Sequence, residues 1–240
     1  MRRAVFFVSA LVLLIAAPAS AQLDQLLKEL DTLTRPATGA PGDVKIGAAL
    51  KQALQVGTEN AVKLTGRTDG YFTNQAIKIL MPERLRTLER GLRTVGYGSE
   101  VDQLVLSMNR AAERAAPSAK RIFWDAIGDM TIEDAQRILG GTPTAATDYF
   151  KTKTSASLTL AFRPIVDQAM NEVGTTRQYN ELLSRAKAIP FLKAEDYDLD
   201  HYVVGKALDG LFHVVGEEER KIRTDPAARV TDLLKEVFEK

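Results

Sequence analysis

The hydrophobic pattern is densest in the C-terminal quarter of the chain, between residues 203 and 215. Apolar side chains occupy almost every side of a helical wheel in this stretch. A helix that is apolar all round is usually buried on all sides. We therefore predict a central helix here, with other helices packed around it. Its apolar residues are Val203, Val204, Ala207, Leu208, Leu211, Phe212, Val214 and Val215.

The apolar pattern changes abruptly to a charged one at Gly216, after which three glutamates follow in a row. This change predicts that the central helix leaves the core at the glycine and continues into water. Asp225 followed by Pro226 is typical of a new helix, because Asp is a good N-cap and Pro is tolerated in the first turn. A final amphipathic helix is expected there, covering the central one.

Helical periodicity also dominates the rest of the chain, and almost no segment alternates like a strand. Short turns rich in Gly and Pro separate the periodic stretches. Ser99 with Asp102 and Thr131 with Asp134 resemble the capping boxes that start helices. The pattern predicts an all-α fold, a single-domain multi-helix bundle of about nine to ten helices around the buried C-terminal helix.

The first 21 residues have the pattern of a secretory signal peptide. Two arginines precede an apolar stretch at residues 4–17, and small residues at 19–21 are typical of a cleavage site. We expect cleavage near Ala21 and a periplasmic or secreted mature protein, with an uncleaved membrane anchor as the alternative. No later apolar run is long enough to span a bilayer, so the mature protein is not expected to be transmembrane.

Residues 22–42 are predicted to form a short amphipathic helix and a linker, and residues 43–240 a helical domain. The whole chain carries 32 basic and 31 acidic residues. This balance argues against a nucleic-acid partner. The chain has no cysteine, which excludes disulfides and a lipid-modified N-terminal cysteine. The fold must therefore rest on its hydrophobic core, for which this length suffices.

Several blocks of the sequence resemble a known family. They are LKQALQVGTENAV and GRTDGY within 50–71, SMNRAAERAAPSAKRIFWDAI and MTIEDAQRIL within 107–139, and TDYFKTKTS, FRPIVD and EEERKIRTDPAARVTDLLKEVF within 147–238. Over about residues 46–238 the chain resembles a bacterial family called domain of unknown function 4197 (DUF4197). The resemblance implies a helical envelope protein with an export signal, and it implies no activity, cofactor or catalytic residue.

The charged elbow after the central helix is the first candidate site. A binding site or a buried carboxylate–guanidinium network is one hypothesis. However, Glu219 and Arg223 have the ordinary i, i+4 spacing, which contributes only tenths of a kcal/mol when exposed, roughly 0.3–0.5. We therefore expect a solvated helix end. The candidate ligand- or partner-binding residues in the elbow are Glu217, Glu218, Arg223, Asp225 and Arg229.

A second candidate site is the turn at residues 66–70, where Asn60, Arg67 and Asp69 supply polar side chains. They are candidates for binding a ligand or partner. Asn and Asp also favour turns by bonding to the nearby backbone, so we expect a turn-stabilising role rather than catalysis. The following segment, residues 71–81, lacks helical punctuation and is expected to be partly extended.

Asp209, His213 and Glu217 lie at i, i+4 and i+8, which stacks three potential metal ligands on one helix face. Three ligands on one helix can rarely all reach one ion, so neither a metal site nor a cofactor is predicted. The sequence has two histidines and no G-x-S-x-G, P-loop, H-E-x-x-H or EF-hand motif. No catalytic residue is predicted, although paired carboxylates need no fixed spacing.

The function that fits these observations is a non-enzymatic binding or structural protein of the cell envelope, with another envelope protein as its partner. One alternative is a binder of an apolar small molecule or lipid in a cavity between helices. A carboxylate-based hydrolase is a further alternative. Aromatic residues are the only support for an apolar ligand, and ordinary core packing also explains them. They are Tyr71, Phe72, Phe123, Trp124, Phe150, Phe162 and Phe212.

Overall fold

The structure, a computed structural model, describes residues 41–172, 177, 179–181, 183–184 and 197–225. This part contains seven α-helices and no strand, which confirms the all-α class. The predicted total of nine to ten is not confirmed, since the segments predicted as the first and last helices lie outside the described residues. The helices are α1 (Pro41–Gly66), α2 (Arg86–Thr94), α3 (Gly98–Ala115), α4 (Ala119–Gly128), α5 (Ile132–Leu139), α6 (Ala145–Glu172) and α7 (Leu199–Thr224).

Helix α7 is the central helix that the apolar pattern predicts. It packs against α6, α1 and α3. Val203, Ala207 and Leu211 have no exposed surface. The helix starts at Asp198, whose carboxylate accepts the backbone N–H of His201 at 2.9 Å. Helix α7 does not leave the core at Gly216, because burial continues as far as Ile222.

Helix α6 is the other long element of the core. It runs for 28 residues with Pro164 inside it. Proline removes one N–H from the helical ladder, but Phe162 and Val166 on either side of it are fully buried. Their packing keeps both halves of the helix against the core. No helix in the described part of the chain is long and apolar enough to cross a membrane.

One of the two predicted capping boxes is present and the other is not. Thr131 and Asp134 exchange side-chain and backbone hydrogen bonds at 3.1 and 3.2 Å at the start of α5. At the start of α3 no side chain caps the helix. There Asp102 is instead 2.8 Å from the guanidinium of Arg93. A charge-assisted bond of this kind is stronger than a neutral one.

The connection between α1 and α2 contains an extended piece, which we call the edge segment (residues 78–82). Burial alternates from Ile77, the residue before it, to Met81: Ile77, Ile79 and Met81 are buried, whereas Lys78 is partly exposed and Leu80 is exposed. A period of two is typical of extended backbone. This alternation supports the prediction of a partly extended segment, and hydrogen bonds from Asn109 of α3 and Tyr202 of α7 hold it.

Candidate functional site

Glu219 is buried, although the sequence pattern places it at a solvated helix end. Its carboxylate accepts the backbone N–H groups of Ala146 at 2.9 Å and Thr147 at 2.8 Å, and the Thr147 hydroxyl at 2.8 Å. These N–H groups lie in the first turn of α6, where the helix offers no acceptors of its own. Glu219 therefore caps α6 from outside, with its negative charge at the positive end of the helix dipole.

Arg223 extends this arrangement to the preceding helix. Its guanidinium donates to the Glu219 carboxylate at 3.1 and 2.9 Å, and to the carbonyls of Ile138 at 2.8 Å and Leu139 at 3.5 Å. Those carbonyls lie at the end of α5, where the helix offers no donors. The pair thus fastens the α5–α6 junction to α7. The expectation of a solvated helix end is wrong here, because protein amides and carbonyls replace water around the two charges.

Glu218 joins α7 to α1. It is also buried, and its carboxylate accepts hydrogen bonds from the Asn60 side-chain amide at 3.1 Å and the Lys221 ammonium at 2.6 Å. Asn60 therefore belongs with the charged elbow and not with the turn, because α1 continues through Gly66. The structure brings together residues from the two predicted sites and gives both a role in holding helices.

The other predicted site residues are more exposed. Glu217 is partly exposed, and its carboxylate is 3.4 Å from Nε2 of His213. Arg67 is exposed on the surface. Asp225 is exposed at the end of α7, and Arg229 lies outside the described residues.

The turn at residues 66–70 depends on Glu113, a residue that the sequence did not single out. One of its carboxylate oxygens accepts the backbone N–H groups of Tyr71 at 3.1 Å and Phe72 at 3.2 Å. The other accepts from Arg110 at 2.6 Å, which also donates to Asp69 at 2.7 Å. Asp69 has a φ of 65°, a left-handed conformation that Asp tolerates better than most residues. Its contact with Arg110 stabilises the turn.

Asp209, His213 and Glu217 do not converge on one point. The Asp209 carboxylate is 3.1 Å from the Lys206 ammonium, while His213 faces Glu217. Within the described ranges no three His, Asp or Glu side chains could share a metal ion.

An open groove of about 440 Å³ separates α7 from the edge segment and the turn after it. Its α7 side is lined by Tyr202, Lys206, Asp209 and His213. The opposite side is lined by Lys78, Leu80, Glu83 and Arg86. Gly210 lies at the contact between the two sides. A Cβ there would be 2.6 Å from the Tyr71 ring and 3.1 Å from Cβ of Ile77, so glycine permits the close approach.

The edge segment is fixed from behind by the side chain of Asn109, which is fully buried. The amide oxygen accepts the N–H of Ile79 at 2.9 Å, and the amide nitrogen donates to the Ile79 carbonyl at 2.8 Å and to the Val105 carbonyl at 2.7 Å. On the groove side, the Tyr202 hydroxyl donates to the Leu80 carbonyl at 2.9 Å. The segment is therefore held at two consecutive residues, Ile79 by Asn109 and Leu80 by Tyr202.

Three of the aromatic residues proposed for an apolar ligand pack ring against ring in the core. The rings of Phe123 and Phe150 meet edge-on at 5.2 Å between centroids, and those of Phe123 and Phe212 at 6.1 Å. The Tyr71 hydroxyl donates to the Ala207 carbonyl at 2.7 Å. Burial raises the pKa of Tyr71, and the negative charge of Glu113 raises it further. Five of the seven are buried core residues, as ordinary packing would predict, whereas Trp124 is exposed and Phe72 is partly buried.

A pair of carboxyl groups lies where α7 begins beside α6. Burial raises the pKa of Asp200, and the neighbouring carboxylates of Asp167 and Asp198 raise it further, Asp167 also through a hydrogen bond. Arg163 opposes this rise. A raised pKa in a carboxyl pair is one feature that the hydrolase hypothesis requires. This pair does not line the groove described above.

The model of one protein family, described as "Protein of unknown function (DUF4197)", matches residues 41–239. This range covers all seven helices and the groove. No curated protein and no solved structure matches the chain.

Proposed function

The chain belongs to the DUF4197 family, and from this premise we propose that it is an exported, non-enzymatic protein of the cell envelope that binds another envelope protein. One observation carries the proposal. The buried charges of the described helices hold those helices together, whereas the groove beside α7 presents polar and apolar groups to solvent.

The buried carboxylates support the non-enzymatic part of the proposal. At least two hydrogen bonds from backbone N–H groups or from Asn, Arg or Lys side chains reach each of the carboxylates of Glu113, Glu218 and Glu219. A buried carboxylate that accepts hydrogen bonds from donors fixed by the fold satisfies those donors and joins the elements that carry them. These residues therefore contribute stability and not chemistry.

The groove supports the binding part. It is open and lined by mixed side chains, which is typical of a surface that meets a polar partner rather than of an enclosed apolar ligand site. Leu80 is 52 % exposed on its edge although the alternate residues of the same segment are buried. An exposed leucine on a rigidly held backbone is suited to contact with a partner protein.

Export is tested by N-terminal sequencing of the protein isolated from cells. We expect Gln22 as the first residue and recovery of the protein in the periplasmic fraction or the medium. Retention of Met1 in the membrane fraction would show an uncleaved anchor and would contradict export as proposed.

Binding is tested by native mass spectrometry of the protein purified gently from the envelope. We expect an additional mass that corresponds to a polypeptide and is lost on denaturation. An additional mass of a lipid or small molecule would support the apolar-ligand alternative. A bare monomer, with no further partner found by crosslinking in cells, would contradict the proposed function.

A further inference from the structure

We infer that the groove beside α7 binds an extended segment of the partner polypeptide, which adds to the edge segment through its backbone and places an acidic side chain beside Lys78. The inference rests on the proposed function and specifies the kind of partner. It follows from three properties of the edge segment: its open backbone groups, its charge and its rigidity.

Two of the four backbone groups of Lys78 and Leu80 are open, since the Lys78 N–H donates to the Asn74 carbonyl at 2.8 Å and the Leu80 carbonyl accepts from Tyr202 at 2.9 Å. Asn109 occupies both polar groups of Ile79. In extended backbone the groups of the next residues point to the opposite side. The N–H of Leu80 and the carbonyl of Lys78 have no hydrogen-bond partner in the described part of the chain. One residue of a parallel strand could accept a hydrogen bond from the Leu80 N–H and donate one to the Lys78 carbonyl.

The charges around the groove favour an acidic partner. Arg86 is paired with Glu83 at 3.0 Å, and Lys206 with Asp209 at 3.1 Å. Lys78 has no ion pair among the described residues, and its ammonium lies 4.1 Å from the centre of the Phe72 ring. A cation over an aromatic ring keeps its charge available to a second partner. The uncompensated positive charge of the groove therefore lies beside the open backbone groups.

Rigidity makes backbone addition favourable. Strand addition uses main-chain hydrogen bonds for affinity and side-chain contacts for specificity. A segment already held at Ile79 by Asn109 and at Leu80 by Tyr202 loses little conformational freedom when a peptide binds. The exposed Leu80 side chain adds an apolar contact next to the charge of Lys78. The expected ligand is thus an extended peptide with an acidic residue close to apolar ones.

The test uses displayed random peptides selected on the mature protein purified from cells, followed by measurement of Kd by fluorescence anisotropy. Leu80→Pro removes the open N–H, which has no partner among the described residues, together with the exposed leucine side chain. Lys78→Glu reverses the charge. Replacing the Leu80 amide by an ester removes the same N–H without the ring, in case the proline variant does not fold. Lys151→Glu, an exposed change on α6, is the matched control.

We expect selected peptides that contain an acidic residue. Loss of the N–H should weaken binding about three- to tenfold, as for one hydrogen bond. Lys78→Glu should weaken binding about tenfold, with a smaller effect at high salt, and Lys151→Glu should not change it. Equal binding by all variants would overturn the inference and leave the proposed function intact. Failure to select any peptide would also overturn the inference. The proposed function would then fail as well only if native mass spectrometry shows no bound polypeptide.

Discussion

Asn109 and Ile79 form a two-way backbone clamp: the buried amide of Asn109 accepts the N–H of Ile79 at 2.9 Å and donates to its carbonyl at 2.8 Å. The side chain thus does for Ile79 what a neighbouring strand would do in a sheet. It satisfies Ile79 without a neighbouring strand, and the Leu80 N–H and the Lys78 carbonyl remain without a partner in the described part of the chain.

Replacing Asn109 by Ala should release the edge segment. Two backbone groups of Ile79 would lose their partners, and each unsatisfied buried group costs about 1–3 kcal/mol. We expect a lower free energy of unfolding and faster hydrogen exchange at the Ile79 amide, the one N–H that Asn109 protects. Hydrogen-exchange mass spectrometry measures the second effect directly. Asn171→Ala, an exposed change on α6, is the control. Unchanged exchange at the Ile79 amide would show that Asn109 does not hold the segment.

Replacing Glu219 by Ala should strongly destabilise the protein. The change leaves Arg223 and the first amides of α6 without their acceptor, and removal of one partner of a buried ion pair costs about 3–5 kcal/mol. Urea denaturation of the variant measures the loss. Glu217→Ala is the matched control two residues away, and because Glu217 is partly exposed we expect less than about 1 kcal/mol. Equal losses for both variants would mean that the Glu219 contacts carry no special stability.

Two glycines of α7 should respond in opposite directions to the same substitution. At Gly210 a methyl group would be 2.6 Å from the Tyr71 ring, and overpacking of this kind costs about 1–3 kcal/mol. At Gly205, which is exposed and has no atom within 4 Å of the added carbon, alanine should stabilise by up to about 1 kcal/mol through helix propensity. Melting temperatures of both variants check this. A shift in the same direction for both would contradict the close contact of α7 with Tyr71.

Asp200→Asn should stabilise the protein at neutral pH. Because burial and then Asp167 and Asp198 raise the pKa of Asp200 in the folded state, the ionised carboxylate is less favourable there than in the unfolded chain. The free energy of unfolding of the wild type should fall as the pH rises from the pKa of Asp200 in the unfolded chain, about 3.9, through its raised pKa in the folded protein. The advantage of the variant should therefore vanish below about pH 3.9. Asp209→Asn, on the exposed side of α7, is the control, and thermal unfolding across pH measures both. An advantage that does not depend on pH would exclude this origin.

The sequence predicts those parts of the fold that rest on periodicity and local signals. The apolar stretch of α7 and the Thr131–Asp134 capping box follow from the types and spacing of neighbouring residues. The sequence does not reveal where a polar side chain finds its partner. Glu219 and Ala146 are 73 residues apart, so a run of glutamates resembles a solvated helix end although two of the three are buried.

Glu113 and Asn109 are also not evident from local patterns, since their partners lie about 40 and 30 residues earlier in the chain. A weak signal exists in retrospect. Glu113 stands within AAERAA, where alanines form the packed face of α3. A single acid among small buried residues indicates a buried carboxylate with backbone partners, and it could have directed attention to the turn at 66–70.

Site-specific photo-crosslinking in cells tests most directly whether the groove beside α7 contacts a partner. A photoreactive amino acid is placed at Leu80 on the edge segment or at Leu160 on α6, both of which are exposed. We predict that the photoreactive group at position 80 forms a discrete adduct with an envelope protein and that this adduct is lost when Lys78→Glu is added. We predict no such adduct from position 160. The same adducts from both positions, or none from position 80, would contradict binding at the groove.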